Sequence, residues 1–164
     1  MVILGIDPGT AITGYGVLES EKNKLTVLDC GCIYTDKKME MPDRLDLIAE
    51  SLKKIIKKNK PQAMAVEELF FFKNVKTVIS VGQARGVVLF VGKNLKLKIF
   101  EYTPLQVKQA VVGYGRAEKK QVQLMVKAIL GLKSIPKPDD AADALAVAIC
   151  CASSIKFEEK ISKR

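Results

Sequence analysis

The sequence predicts an α/β fold in which helices flank a mixed, five-stranded β-sheet. Short apolar segments bounded by turn residues alternate with longer segments whose apolar residues recur at helical spacing. Three strands come first, and helices and strands alternate after them, which is the order typical of a layered α/β sheet. A chain of 164 residues is long enough to bury one core, so we expect a single domain.

The first three predicted strands form an antiparallel meander. Residues 2–7 (VILGID) are a compact apolar run that ends at an acidic residue. Strands over 13–19 and 25–35 follow it after short connections. Connections of this length join neighbouring antiparallel strands.

Seven further elements are predicted along the rest of the chain. They are a helix over 42–59, a strand over 62–69, a long helix over 76–95, a strand over 97–102, and helices over 103–113, 117–130 and 140–154. Thr103 and Pro104 are typical of a helix start, because the hydroxyl caps free backbone N–H groups and proline suits the first turn. We expect residues 1–155 to form the domain and residues 156–164 to be a frayed tail.

The charge balance limits the possible partners. Lys and Arg outnumber Asp and Glu by 27 to 18, which gives a net charge of +9. This excess suits a polyanion such as nucleic acid or an anionic membrane surface, although lysine-rich surfaces also serve solubility. No apolar run reaches the ~18 residues of a membrane span, and no signal peptide is recognisable. We therefore expect a cytoplasmic protein that has no membrane partner.

Histidine and cysteine usage restricts the chemistry further. The chain has no histidine, which excludes Ser–His and Cys–His nucleophile systems and histidine-ligated zinc. The cysteines at 30, 32, 150 and 151 lie in apolar segments without a CxxC spacing, and we expect them to be reduced core residues. Catalysis would therefore depend on carboxylates, lysines, tyrosines or a metal ion.

Two acidic residues end apolar strands that we expect to be neighbours. If the first and fourth strands are adjacent and parallel, Asp7 and Glu67 meet at the carboxyl edge of the sheet, where active sites gather. The alternative is that each residue only terminates its strand.

The last predicted helix carries a second acidic group. Asp140 and Asp143 are three residues apart, so they share one helix face. Capping of the helix N-terminus explains Asp139 and Asp140. It does not explain Asp143, because an ionised carboxylate on an apolar helix is costly unless it is paired or bound to a cation.

Together these four carboxylates predict a metal-dependent nuclease. Converging carboxylates repel one another, and a divalent cation would supply the missing positive charge. All-oxygen ligands favour Mg²⁺ or Mn²⁺ over zinc. Two such ions about 4 Å apart would activate water and stabilise the leaving oxygen of a phosphodiester.

Seven motifs along the chain resemble those of the RuvC family of Holliday junction resolvases. They are GIDPGT, TGYGV, AVEELFF, GQARG, VKQAVVGYG, AEKKQVQ and DAADALAVA, in family order over residues 2–154. The resemblance implies an RNase H-like fold and cleavage of four-way junction DNA during recombination and repair. It also implies the branch-migration motor of RuvA and RuvB as a partner.

The resemblance also assigns roles to individual residues. The four catalytic carboxylates, which bind Mg²⁺, fall on Asp7, Glu67, Asp140 and Asp143. The aromatic residue that stacks near the crossover falls on Phe70, and two lysines that engage DNA fall on Lys108 and Lys119.

The residues themselves leave alternatives open for the DNA contacts. Phe70 begins a run of three phenylalanines just past Glu67, where aromatics could stack on bases or pack in the core. Lys108 could be an ordinary helix-surface lysine. Lys119 lies in the first turn of a predicted helix, against the helix dipole, which indicates a nearby anion.

Two other classes of protein were compared with this prediction. Actin-like ATPases and sugar kinases also begin with an aspartate and a Gly-Thr turn, but they need a second domain for which 164 residues leave no room. A non-catalytic junction-binding module would need only the basic charge. Four placed carboxylates argue against it, because negative charge at a DNA site weakens binding unless metal is present.

The near two-fold symmetry of a four-way junction predicts a homodimer, which would present two sites for matched cuts. The helix over 76–95 is the candidate interface. Its apolar residues exceed what one sheet face needs; they are Val78, Val81, Val87, Val88, Leu89, Phe90 and Val91. Gly82 and Gly86 would let another element approach. The alternative is that this helix is buried within one subunit.

Overall fold

A five-stranded sheet forms the centre of the protein in a computed structural model that describes residues 1–22, 24–69 and 75–161. The strands are β1 (Val2–Asp7), β2 (Ile12–Glu21), β3 (Lys24–Tyr34), β4 (Ala63–Glu67) and β5 (Lys98–Tyr102). Their spatial order is β3-β2-β1-β4-β5. β2 is antiparallel to both β1 and β3, whereas β4 is parallel to both β1 and β5. The predicted meander and mixed sheet are confirmed.

Helices cover both faces of the sheet. They are α1 (Met41–Asn59), α2 (Val75–Asn94), α3 (Pro104–Val112), α4 (Lys119–Ile129) and α5 (Asp139–Ile161). One face packs against α1 and α2, and the other packs against α3, α4 and α5. We call these the α1/α2 face and the α5 face. No helix among the described residues is long and apolar enough to cross a membrane.

The last helix is longer than the sequence predicted. We expected it to end near residue 154 and residues 156–164 to fray, but α5 continues to Ile161. No glycine or proline follows residue 154, and glutamate and lysine propagate a helix readily once it has formed. Residues 156–161 are therefore part of α5 and not a separate tail.

Strand alternation separates the two sheet faces. On β1, Ile3 belongs to the core under α5, whereas Leu4 and Ile6 belong to the core under α1 and α2. Successive side chains of a strand point to opposite faces. Asp7, four residues after Ile3, therefore points to the α5 face.

The outer surface of α2 differs from the surface that the sequence suggested. Val88 and Val91 are buried in the subunit core, because they face the sheet. The exposed stripe, which we call the α2 outer stripe, has helical spacing of four, three and four residues. It consists of Ile79, Gln83, Gly86 and Phe90.

The four cysteines are reduced thiols, as expected, but only two are core residues. Cys150 and Cys151 are buried in α5, whereas Cys30 is exposed and Cys32 is half-buried. The latter two lie on β3, which is an edge strand of the sheet and is less covered by helices.

Candidate active site

Asp7 and Glu67 lie side by side at the carboxyl edge of the sheet. The parallel register of β1 and β4 pairs Ile6 with Val66, so the next residue of each strand is the acidic one. Ile3 and Ala63 start this register on the α5 face, and strand alternation places both carboxylates on that face too. The predicted neighbourhood of the two strand ends is confirmed.

Helix α5 approaches this edge unusually closely because the sheet beneath it has glycine. A Cβ atom on Gly5 would collide with the carbonyl oxygen of Ala144, and one on Gly14 would collide with that of Asp140. Gly14 is the cross-strand partner of Asp7. The first turn of α5 therefore lies directly over the end of β1.

We call the carboxyl ends of β1 and β4, together with the first turns of α5, the acidic edge. Its carboxylates, Asp7, Glu67, Asp140 and Asp143, act on one another. The pKa of Asp7 is raised to about 7, mainly by burial and to a smaller extent by the negative charges of Asp143 and Asp140. Burial raises the pKa of Glu67 to about 8, together with the charges of Asp7 and Asp143. Each of the four acidic side chains predicted from the sequence therefore acts electrostatically on at least one of the others.

Lys119 supplies positive charge to the acidic edge. It is the first residue of α4, and its Nζ atom lies 2.9 Å from Oδ2 of Asp143 and 3.7 Å from Oδ2 of Asp139. Burial raises the pKa of Asp143, and the hydrogen bond and charge of Lys119 oppose that rise. The anion that its position against the helix dipole indicated is therefore present within the protein.

Lys108 lines a cavity of about 240 Å³ beside the carboxylates. Its charge, followed by that of Lys119, lowers the pKa of Glu67 against the larger effects that raise it. The cavity is lined by Glu67, Pro104, Val107, Lys108, Lys119, Val122, Asp143 and Ala146. It can therefore present carboxylate oxygens to a cation and ammonium groups to an anion.

Local structure orients Lys108. Gln106 N donates a hydrogen bond of 3.2 Å to Oγ1 of Thr103, and Thr103 N donates one of 2.8 Å to the Gln106 side chain. This reciprocal capping begins α3 at Pro104, as the sequence predicted. Lys108, one turn into α3, faces the cavity as a result.

The donor set fits a hard divalent cation. It consists of carboxylate oxygens, two of whose pKa values are raised toward or above neutrality, so the edge lacks positive charge when it is ionised. Within the described ranges, no three Asp, Glu, Cys or His side chains are grouped closely enough to hold an ion as they stand. An ion bound there would compete with Lys119 for Asp143, because the Lys119 Nζ atom lies 2.9 Å from Oδ2 of Asp143.

One contact to the site was missed by sequence reasoning. Arg85 of α2 donates a hydrogen bond from Nε to the carbonyl oxygen of Glu67, at 3.2 Å. The available signal was an arginine in a largely apolar helix, because a partly buried guanidinium needs partners. Phe70 lies outside the described residues.

Comparison with known proteins gives one family. The profile described as Crossover junction endodeoxyribonuclease RuvC matches residues 3–151. A Crossover junction endodeoxyribonuclease RuvC from Halothermothrix orenii is 60% identical over 160 residues, which cover 98% of this chain and 97% of that protein.

Solved structures give the same result. The Thermus thermophilus RuvC structure has a TM-score of 0.90 at 37% identity, covering 96% of this chain and 97% of that one. Thermus thermophilus RuvC in complex with Holliday junction substrate has a TM-score of 0.91 at 36% identity, covering 96% of both chains.

Proposed function

This chain belongs to the RuvC family of crossover junction endodeoxyribonucleases, and we propose that it resolves four-way DNA junctions by paired, divalent-metal-dependent hydrolysis. The observation that carries the proposal is the acidic edge, where carboxylates of β1, β4 and α5 meet beside two lysines. An RNase H-like sheet with this edge suits phosphodiester chemistry. Such chemistry needs oxygen ligands for a cation and positive groups for the phosphate.

The proposed metal ligands are Asp7, Glu67, Asp140 and Asp143, holding two Mg²⁺ ions for which Mn²⁺ substitutes. A divalent cation bound there lowers the pKa of the attacking water and offsets charge on the leaving oxygen. The remaining work belongs to the protein. The buried side chains of Val107 and Val122 form an apolar wall of the cavity beside the carboxylates, which limits the access of water.

Lys108 and Lys119 are proposed to hold the phosphate next to the scissile bond. Both line the same cavity as Glu67 and Asp143, and Lys119 is about half exposed, so its ammonium can reach a bound strand. Release of Asp143 to a cation would free Lys119 for that contact. Phe70 follows Glu67 by three residues and is proposed to stack on bases near the crossover.

Phe70→Ala tests the stacking proposal. We expect slower junction cleavage with little loss of fold stability, because stacking on an aromatic contributes about 1–3 kcal/mol per base. A variant that unfolds readily, while its folded fraction cuts normally, would make Phe70 a core residue.

The working form is proposed to be a two-fold homodimer that joins through the α2 outer stripe. Ile79 and Phe90 are 67% and 69% exposed, and among the described residues no atom from outside the adjacent turns of α2 lies within 4 Å of a Cβ built on Gly86. An exposed apolar stripe around a glycine suits close contact with the same surface of a second copy. Matched cuts in two opposed DNA strands require two active sites, which a two-fold dimer would provide.

Sedimentation at micromolar concentration tests the dimer. Phe90→Ser should shift the protein toward monomer, whereas Leu124→Ser, which changes an exposed leucine on α4, should not. A wild-type 18.0 kDa monomer that still makes paired nicks would contradict the dimer.

Cleavage of a synthetic four-way junction tests the proposed function itself. The wild-type protein should cut the junction in Mg²⁺ or Mn²⁺, leave a linear duplex of the same sequence intact, and stop in EDTA. Binding of the junction without cleavage in any divalent cation would instead support the non-catalytic alternative.

The family membership also supports a cytoplasmic setting and action with the RuvA and RuvB branch-migration motor. Stimulation of junction cleavage by the purified motor would test this partnership, and no change in rate at any motor concentration would count against it.

A further inference from the structure

Arg85 connects three elements of the fold at one point. It lies on α2, its Nε donates to the carbonyl oxygen of Glu67 on β4 at 3.2 Å, and its Nη2 pairs with Oε2 of Glu101 on β5. The arginine side chain is only 20% exposed. Its donors are therefore engaged within the protein and are poorly placed to contact DNA.

The contact with Glu67 runs through the main chain and not through the carboxylate. The Glu67 side chain lines the cavity on the α5 face, together with Lys108 and Lys119. Arg85 approaches from the α1/α2 face, where α2 packs. Arg85 can thus fix the end of β4 without neutralising the charge that a cation would need.

Neighbouring contacts hold the same segment. The amide of Glu68 donates to the carbonyl oxygen of Tyr102 at 2.8 Å, which extends the link between β4 and β5 by one residue. Leu69 lies against α2, since a Cβ on Gly82 would be 3.7 Å from its Cδ1 atom. Gly82 and Arg85 are three residues apart, so one side of α2 contacts residues 67 and 69 of the chain.

We propose that Arg85 is a positioning residue that holds Glu67 in the geometry needed to bind the catalytic cation. The inference rests on the proposed role of Glu67 as a metal ligand. A guanidinium suits this task because its planar fork can donate to a carbonyl and a carboxylate at the same time, which a lysine ammonium on a flexible stem does less well. Groups that orient metal ligands typically change metal affinity or activity by about 10–100-fold when removed.

The test compares Arg85→Met with Lys93→Met. Both changes remove a positive charge from α2, but Lys93 is exposed in the last turn and does not contact Glu67. For Arg85→Met we expect the Mg²⁺ concentration for half-maximal junction cleavage to rise about tenfold and kcat to fall about 10–100-fold. Lys93→Met should match the wild-type protein in both.

Two measurements separate positioning from a general structural effect. Junction affinity without divalent cations should stay within about twofold of wild type in Arg85→Met, because the DNA-facing residues are unchanged. Mn²⁺ binding, followed by calorimetry without DNA, should weaken by about the same factor as the Mg²⁺ requirement rises. Excess Mg²⁺ should recover part of the lost rate.

Two further variants keep the inference testable if Arg85→Met does not fold. Arg85→Lys keeps the charge but not the fork, and it should show the same raised metal requirement. Glu101→Gln leaves the bond to Glu67 possible and should show a smaller effect.

Wild-type metal dependence in Arg85→Met or Arg85→Lys would overturn the inference. Loss of activity that sedimentation traces entirely to dissociation of a dimer would also overturn it. If the wild-type protein fails to cut junctions, the proposed function fails separately, and Mn²⁺ binding still decides the role of Arg85.

Discussion

Each face of the sheet carries a partly buried aspartate, and the protein shifts the pKa values of the two in opposite directions. On the α1/α2 face, Asp29 of β3 accepts hydrogen bonds from Lys58 Nζ at 2.8 Å and Asn59 Nδ2 at 3.3 Å. Burial alone would raise the pKa of Asp29, but these bonds lower it below its usual value. On the α5 face, Asp7 is buried among other carboxylates, and its pKa rises to about 7.

The difference distinguishes a structural carboxylate from one that awaits an external cation. Asp29 has its own donors within the fold, so its ionised form stabilises the protein. Asp7 has mainly like-charged neighbours, so its ionised form is costly until positive charge arrives. The face on which carboxylates outnumber the available cationic side chains is therefore the one that we propose as the active site.

Packing differs between the faces in the same direction. The α1/α2 face is filled by large aliphatic side chains such as Leu4, Ile48 and Leu52. The α5 face has glycine on β1 and β2 under an alanine-rich helix. Small residues bring the α5 backbone close to the strands, which places the aspartates of its first two turns at the ends of β1 and β4.

The largest expected effect is on the rate of junction cleavage, when a carboxylate is neutralised on the α5 face and, as a control, on the α1/α2 face. Asp7→Asn should slow junction cleavage by about 10³-fold or more, because a metal contributes several kcal/mol to the transition state. Junction binding should persist. Asp29→Asn, the same change on the other face, should leave cleavage near wild type. If Asp7→Asn still cut junctions at one tenth of the wild-type rate or faster, Asp7 would not be a metal ligand.

A second comparison concerns how well the core on each face of the sheet tolerates a substitution on β1. Gly5→Ala should destabilise the protein by about 3 kcal/mol, because its Cβ would collide with the Ala144 carbonyl oxygen. Leu4→Met, its neighbour on the other face, conserves volume and should cost less than about 1.5 kcal/mol. Urea denaturation measures both. Equal losses would show that α5 can move away from the strands without cost.

The raised pKa values predict how pH affects stability in the absence of divalent cations. Folded Asp7 and Glu67 keep protons to about pH 7 and about pH 8, whereas unfolded carboxyls release them near 3.8 and 4.5. Between these limits the folded state binds more protons, so the free energy of unfolding should fall as pH rises from about 4 to about 8.

Replacing Asp7 tests this pH dependence directly. Asp7→Asn should raise the melting temperature at pH 8 by several degrees in EDTA, since about 1 kcal/mol shifts a domain of this size by about 2–4 °C. It should also reduce the decrease in the free energy of unfolding between about pH 4 and about pH 8. Asp29→Asn should instead lower the melting temperature slightly at pH 8. A lower melting temperature for Asp7→Asn would mean that its ionised form is already stabilised within the fold.

The smallest expected effect concerns the lysines. Lys119→Ala or Lys108→Ala should reduce cleavage and lower the slope of log binding constant against log salt by about one. Lys57→Ala, which changes an exposed lysine on α1, is the matched control and should leave cleavage unchanged. Unchanged slope and cleavage in both cavity variants would make Lys108 and Lys119 ordinary surface lysines.

Much of the site could be predicted because its parts are local signals. Asp7 and Glu67 each follow an apolar strand, and Asp143 interrupts an apolar helix, so each is unusual within its own segment. The order of elements allowed a parallel pairing of β1 with β4, and the structure confirms it. In contrast, the outward direction of Ile79 and Phe90 could not be predicted, because the apolar residues of α2 are not confined to one side of the helix.

The sequence by itself determined which residues alternate toward which face, where strands end, and which carboxylates are available, because these properties depend on the period of a strand or helix. The tertiary structure alone decided that Lys119 pairs with Asp143, that Arg85 holds the Glu67 carbonyl, and that the pKa of Asp7 is raised to about 7. Those outcomes depend on distances between residues far apart in the chain. Such distances are set only when helices and sheet pack together and exclude water.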